Sequence, residues 1–254
     1  MRDCGSLVGN RDAKCAESAS CRSQAIPDRM DTVLISWGHE LALGAAMTVG
    51  LALATLPFGL ALGLLAALAK DSKSALARAC GETYTTLFRG LPELLTLLLI
   101  YYGAQILIQN LGFSISISPF AAGLIALSLV FGAYSSEVLL AALRGVERGQ
   151  IEAARSFGMS PGLAFRRVKA PQMLRLALPG LGNNWLVLLK DTSLVSVIAL
   201  DDLLRMSFIA AQSTRQPFEF YATACAIYLA MTAISTLLIA RAERAASKGW
   251  RSAA

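Results

Sequence analysis

The chain is poor in the residues that carry out chemistry: of 254 residues only 16% are charged, and His39 is the single histidine. With one histidine, no cysteine can recruit a histidine base, and neither an H-E-x-x-H zinc site nor a G-x-S-x-G nucleophile turn is present. No Walker A string occurs, so the chain cannot hydrolyse ATP alone. Cys4, Cys15 and Cys21 are odd in number and lack C-x2-C spacing, which argues against a zinc site or a disulfide framework. Cys80 and Cys225 sit in or beside apolar stretches and are expected to act as small packing residues.

What is abundant is apolar surface. At 55% hydrophobic residues the chain is too greasy for a soluble domain of its length. Leu41 to Ala69, Leu91 to Ile108, Pro119 to Leu143 and Phe218 to Ala240 each approach or exceed the roughly 20 residues a helix needs to cross hydrocarbon. A fifth stretch, Leu176 to Leu200, is interrupted by Lys190, Asp191, Thr192 and Ser193 and reads as a span broken near its far end. The expected fold is an all-α membrane protein with five transmembrane helices.

The net charge of +6 does not form a nucleic-acid patch, because fifteen of the 23 Lys and Arg fall on alternate loops and on the segment after the last span. Between residues 109 and 118 there are none, and between 201 and 217 only Arg205 and Arg215. This asymmetry predicts a cytoplasmic C-terminus and, with five spans, an external N-terminus. Residues 1–36 mix five basic with five acidic residues and no apolar core segment, so they are expected to be a disordered tail or a start-site artefact, with Met30 as the true start. Residues 37–245 then form the membrane domain and 246–254 a cytoplasmic tail.

Between the third and fourth spans, residues 144–175 are too polar for the bilayer and carry ordered punctuation. Gly149 opens a short helix, Ile151, Ala154 and Phe157 share a face, and Gly158 is placed to end it in the left-handed conformation. Ser160 caps a second helix with Pro161 in its first turn, and Pro171 is expected to end it. The string Glu152, Ala153, Ala154, three residues, Gly158, nine residues, Val168, one residue, Ala170, Pro171 resembles the E-A-A-x3-G-x9-I-x-L-P loop of ABC importer permeases, with Val for Ile and Ala for Leu at unchanged spacing.

Further strings narrow the resemblance. Arg89 to Leu95 (RGLPELL), Gly132-Ala133-Tyr134 followed by Glu137, Gly182-Asn183-Asn184-Trp185, and Leu189 to Leu194 (LKDTSL) are similar to the polar amino acid permeases, which include histidine, arginine, glutamine and opine importers. The resemblance covers about Leu41 to Arg244. It implies the type I ABC importer permease fold and alternating access in a bacterial inner membrane. It also implies several partners: an ATPase dimer that binds the ATP and Mg, a second permease identical or related to this one, and a periplasmic binding protein, all beside membrane lipid. Gly149, Glu152, Ala153, Ala154 and Gly158 are then the ATPase-coupling residues. An intramembrane enzyme lacks catalytic residues here, and a passive channel or scaffold leaves the hairpin without a role.

Charges within the spans are costly unless paired or hydrated, so each is a candidate for the substrate path. Glu137 lies roughly 10 Å cytoplasmic of the third span's centre at 1.5 Å per residue. It either faces a hydrated path suited to a cationic amino acid or forms a structural pair. Where the family often has Arg two or three residues later, this chain has Leu139 and Leu140, which argues against a pair for Glu137 inside one subunit. Lys190 and Asp191 lie at the break in the fourth span, where unwound backbone can contact a zwitterion; a mutual or intersubunit ion pair is the simpler reading. Glu93, after Pro92, reads as helix-terminus electrostatics. Gly59 and Gly63 form a G-x3-G expected to mark close helix packing.

Overall fold

The computed structural model describes residues 9–247 apart from 113–115, with side chains from residue 36 onward, and these residues are helical without a strand. In chain order the helices are α1 (Gly9–Lys70), α2 (Ala75–Gly90), α3 (Glu93–Asn110), α4 (Pro119–Gly145), α5 (Arg148–Ser156), α6 (Pro161–Ala164), α7 (Ala170–Asp191), α8 (Leu203–Thr214) and α9 (Pro217–Ser247). Helix continues from Gly9 through most of the stretch expected to be a tail, where Ala, Glu, Lys and Arg are all compatible with it. Cys4, Cys15 and Cys21 fall outside the described side chains, and most of 246–254 lies outside the described residues.

Among the described residues three helices are long and apolar enough to cross a membrane: Ser36–Lys70 of α1, α4 and α9. The predicted span from Leu91 begins at Glu93, and α3 meets that standard only together with α2, from which it turns by 105° at Leu91 and Pro92. Proline at this corner has no N–H to continue the ladder and pushes Leu91 to extended backbone (φ −95°, ψ 143°). The fifth predicted span corresponds to α7, which continues as a 3-10 helix over Thr192–Ile198 and stops at Ala199 in the left-handed region. The break expected near Lys190 is therefore a change of helix type.

Helix α4 is the axis of the fold. Of its most apolar window 61% is buried, against 6% for α9, so α4 is enclosed and α9 presents its apolar side chains outward. One core cluster joins Leu51, Leu97, Leu127, Phe131, Leu189 and Val195; a second joins Ala67, Leu139, Leu143, Met173 and Ala177. The close crossing of α1 and α4 depends on the glycines that the sequence singled out. A Cβ on Gly59 would stand 2.5 Å from the Phe131 ring, and one on Gly63 would stand 3.0 Å from the Gly132 carbonyl oxygen. Cys80 and Cys225, expected in the packing, are instead exposed because their faces of α2 and α9 point away from the core.

Helix α8 lies in a segment expected to be a loop. Asp202 caps it, accepting from the amides of Leu204 (3.3 Å) and Arg205 (3.0 Å), while the Leu203 amide donates to Thr48 Oγ1 on α1. The buried Asp202 carboxyl is pushed up to about 6 by desolvation, against the amides that favour its charge.

Candidate functional site

Two sites stand out, one local in sequence, one assembled within the spans. The first is the hairpin. Glu147 precedes α5 and Gly149 falls in its first turn, slightly inside the helix it was expected to open. Gly158 has φ +79°, and the amides of Gly158 and Met159 donate back to the carbonyls of Arg155 and Ala154, closing the helix as its position predicts. Ser160 accepts from the Leu163 amide and Pro161 begins α6, again as expected.

Pro171 does not end the second helix. Residues Phe165–Lys169 form a π-helical turn that leads directly into α7, with the Ala170 amide donating to Phe165 O. The wider turn suits the missing N–H and ring of Pro171, so α6 and α7 form one bulged rod rather than a separate helix and span. Glu152, Ala153 and Gly158 are exposed while Ala154 is buried against the fold. Phe157, expected to share the face of Ala154, is 86% exposed, because the helix has ended and the turn at Gly158 throws it outward. Gln172 on α7 donates to Gln150 on α5, tying the hairpin to the rod that enters the membrane domain.

The second site is a cavity of about 240 Å³ between α3, α4 and α7, lined by Glu93, Tyr134, Asn183, Asn184 and Asp191 over an apolar floor that includes Phe131 and Leu188. The Tyr134 hydroxyl donates to Glu93 Oε1 (3.3 Å), and Asn184 Nδ2 donates to Ser135 Oγ (3.5 Å). Of the three substrate-path candidates, only Asp191 lines this cavity. Lys190 points outward, and no ion pair joins it to Asp191 among the described residues.

Contrary to the expectation from Leu139 and Leu140, Glu137 is paired inside one chain. Lys70 Nζ approaches Glu137 Oε1 at 2.6 Å and Arg89 Nη1 at 3.0 Å, so the end of α1 and the end of α2 both converge on α4 in the same chain. Lys70 also donates to Thr85 Oγ1 (3.3 Å), and its side chain is only 10% exposed, against 44% for Arg89. The Arg89 guanidinium stands 5.6 Å from the centre of the Tyr134 ring, behind the cavity wall. Glu93 was read as helix-terminus electrostatics, yet its side chain borders the cavity. A signal was present in the paired polar strings Gly132-Ala133-Tyr134 and Gly182-Asn183-Asn184, which place amide and hydroxyl groups at membrane depth.

The model of binding-protein-dependent transport system inner membrane components matches residues 59–248. The chain belongs to this family. The nopaline transport system permease protein of Agrobacterium fabrum is 44% identical over 235 residues, covering 88% of this chain and 100% of that protein. The arginine ABC transporter permease protein of Escherichia coli K12 is 42% identical over 226 residues, 82% of this chain and 95% of that one. The histidine/lysine/arginine/ornithine transport system permease protein of Salmonella typhimurium is 42% identical over 222 residues, with shares of 85% and 97%.

A crystal structure of an amino acid ABC transporter with histidines superposes on this permease with a TM-score of 0.74 at 36% identity, covering 83% of this chain and 96% of that chain. An inward-facing MetNI methionine ABC transporter superposes with a TM-score of 0.65 over 87% and 99% of the two chains; at 17% identity it bears on the fold alone. Together these establish an ABC importer permease of the inner membrane with the type I fold.

Proposed function

We propose that this permease forms half of a pathway for polar amino acids, cationic ones in particular, or the related opines, and works by ATP-driven alternating access. The observation that carries the passenger class is the cavity, where Glu93 and Asp191 supply two carboxylates and Asn183, Asn184 and Tyr134 supply neutral hydrogen-bonding groups. An ammonium and a cationic side chain would each find a carboxylate there, which is the usual build of a small-molecule site: apolar walls and a few placed polar groups. The names of the nopaline and arginine relatives support the same class.

The hairpin is the proposed contact with a separate ATPase dimer, which holds the ATP and Mg. Exposed Glu152 and Ala153 offer a charged and a close-approach surface, Phe157 offers an apolar anchor, and the bulged rod carries the push into α7. A second permease completes the pathway and a periplasmic binding protein delivers the passenger. In this reading α7 is the fourth of five spans in chain order, the C-terminus is cytoplasmic and the N-terminus periplasmic. The test is labelled L-arginine uptake into proteoliposomes holding the permeases, the ATPase and the binding protein. Uptake should require ATP and yield to competition by lysine or ornithine more than by glutamate; uptake without ATP, or competition by glutamate alone, overturns the reading.

A further inference from the structure

We infer that Arg89 is an exchangeable counter-ion, held by Glu137 at rest and released to the α-carboxylate of the passenger, so that it selects for amino acids over simple amines. The inference rests on the cavity reading above and deepens it. Three observations carry it. First, Glu137 holds two cations although it needs one: Lys70, 10% exposed, is the nearer and also donates to Thr85, whereas Arg89 is 44% exposed and the more easily released. Second, Arg89 stands directly behind the cavity wall, its guanidinium 5.6 Å from the ring centre of the wall residue Tyr134, which in turn donates to the cavity carboxylate Glu93.

Third, the charges of the cavity and of the Glu137 cluster behind it balance, Lys190 pointing away from both. Lys70, Arg89 and Glu137 leave one positive charge in excess, while Glu93 and Asp191 bring two negative ones. A passenger with two cationic groups and one carboxylate matches that set group for group. Moving Arg89 from Glu137 to the carboxylate leaves Glu137 neutralised by Lys70, so none of these five charges is left alone. The planar guanidinium suits this exchange because it can pair a carboxylate bidentately while still resting on an aromatic face.

The test uses the purified permease–ATPase complex in nanodiscs, without binding protein, titrated with L-arginine and with agmatine, which is arginine lacking its α-carboxylate. The intact complex should prefer arginine. Arg89→Gln should weaken arginine by about tenfold or more, the worth of one charged hydrogen-bonded pair, and leave agmatine nearly unchanged; Arg89→Lys should restore part of the preference. Retained agmatine binding shows that the variant is folded. Equal loss of both probes, no loss of either, or an intact complex that does not discriminate overturns the inference. Asp191→Asn should weaken both probes; if it weakens neither, the cavity reading itself has failed and the role of Arg89 falls with it.

Discussion

The hairpin of residues 144–175 and the polar cluster that runs from Glu137 to the cavity are the two proposed functional regions of this permease, and they are built in opposite ways. In the hairpin each turn is decided by a residue within a few positions: Gly158 ends α5 at φ +79°, Ser160 caps α6, and Pro161 starts it. In the cluster the pair Lys70–Glu137 is separated by 67 residues and exists only because α1, α2 and α4 converge. Local chemistry makes a part that can be recognised and reused. A buried site has to be assembled from distant pieces, and its residues carry little meaning singly.

If the hairpin is a coupling part and the cluster a binding and structural one, substitutions in them should fail differently. The largest effect is expected at the hairpin: Glu152→Lys or Gly158→Asp should abolish ATP-driven uptake in proteoliposomes while the binding protein still captures its ligand. Aspartate at φ +79° is also strained, so retained assembly of the Gly158→Asp complex on size-exclusion chromatography is part of the check. Undiminished uptake removes the contrast.

Next is the cluster. Glu137→Ala leaves the 10% exposed Lys70 without its carboxylate and should cost about 3 kcal/mol in detergent unfolding, most of it recovered by adding Lys70→Met. Recovery would show that the loss comes from a stranded charge; an equally unstable double variant would place it in packing. Smaller is the crossing of α1 and α4, where Gly59→Ala puts a methyl 2.5 Å from the Phe131 ring and should cost about 1–3 kcal/mol by the same measurement. Smallest is Ser160→Ala, which removes one cap bond and should lower stability by about 1 kcal/mol.

The same contrast explains what could be read in the amino-acid sequence. Three of the five apolar runs, the G-x3-G packing and the caps of the hairpin follow from short-range pattern and appear among the described residues, while the break expected near Lys190 appears as a change of helix type. Pro171 misled because a π-turn absorbs it, and no residue of Phe165–Lys169 announces one. Helix α8 was missed because its first amides are satisfied partly by Thr48, far away in α1. Leu139 and Leu140 argued against an intrasubunit pair for Glu137 because its partners, Lys70 and Arg89, lie far off in sequence at the ends of two other helices. Glu93 was assessed as a helix end because only the fold brings Tyr134 and Asp191 to the same cavity.

The most direct test of the division between the two regions is equilibrium L-arginine binding to the purified permease–ATPase complex in nanodiscs, carrying either Glu93→Gln with Asp191→Asn or Gly158→Asp. The cavity variant should lose binding by tenfold or more, since about two charged contacts are removed, while the hairpin variant binds as the intact complex does. Unchanged binding in the cavity variant, or loss in the hairpin variant alone, would contradict it.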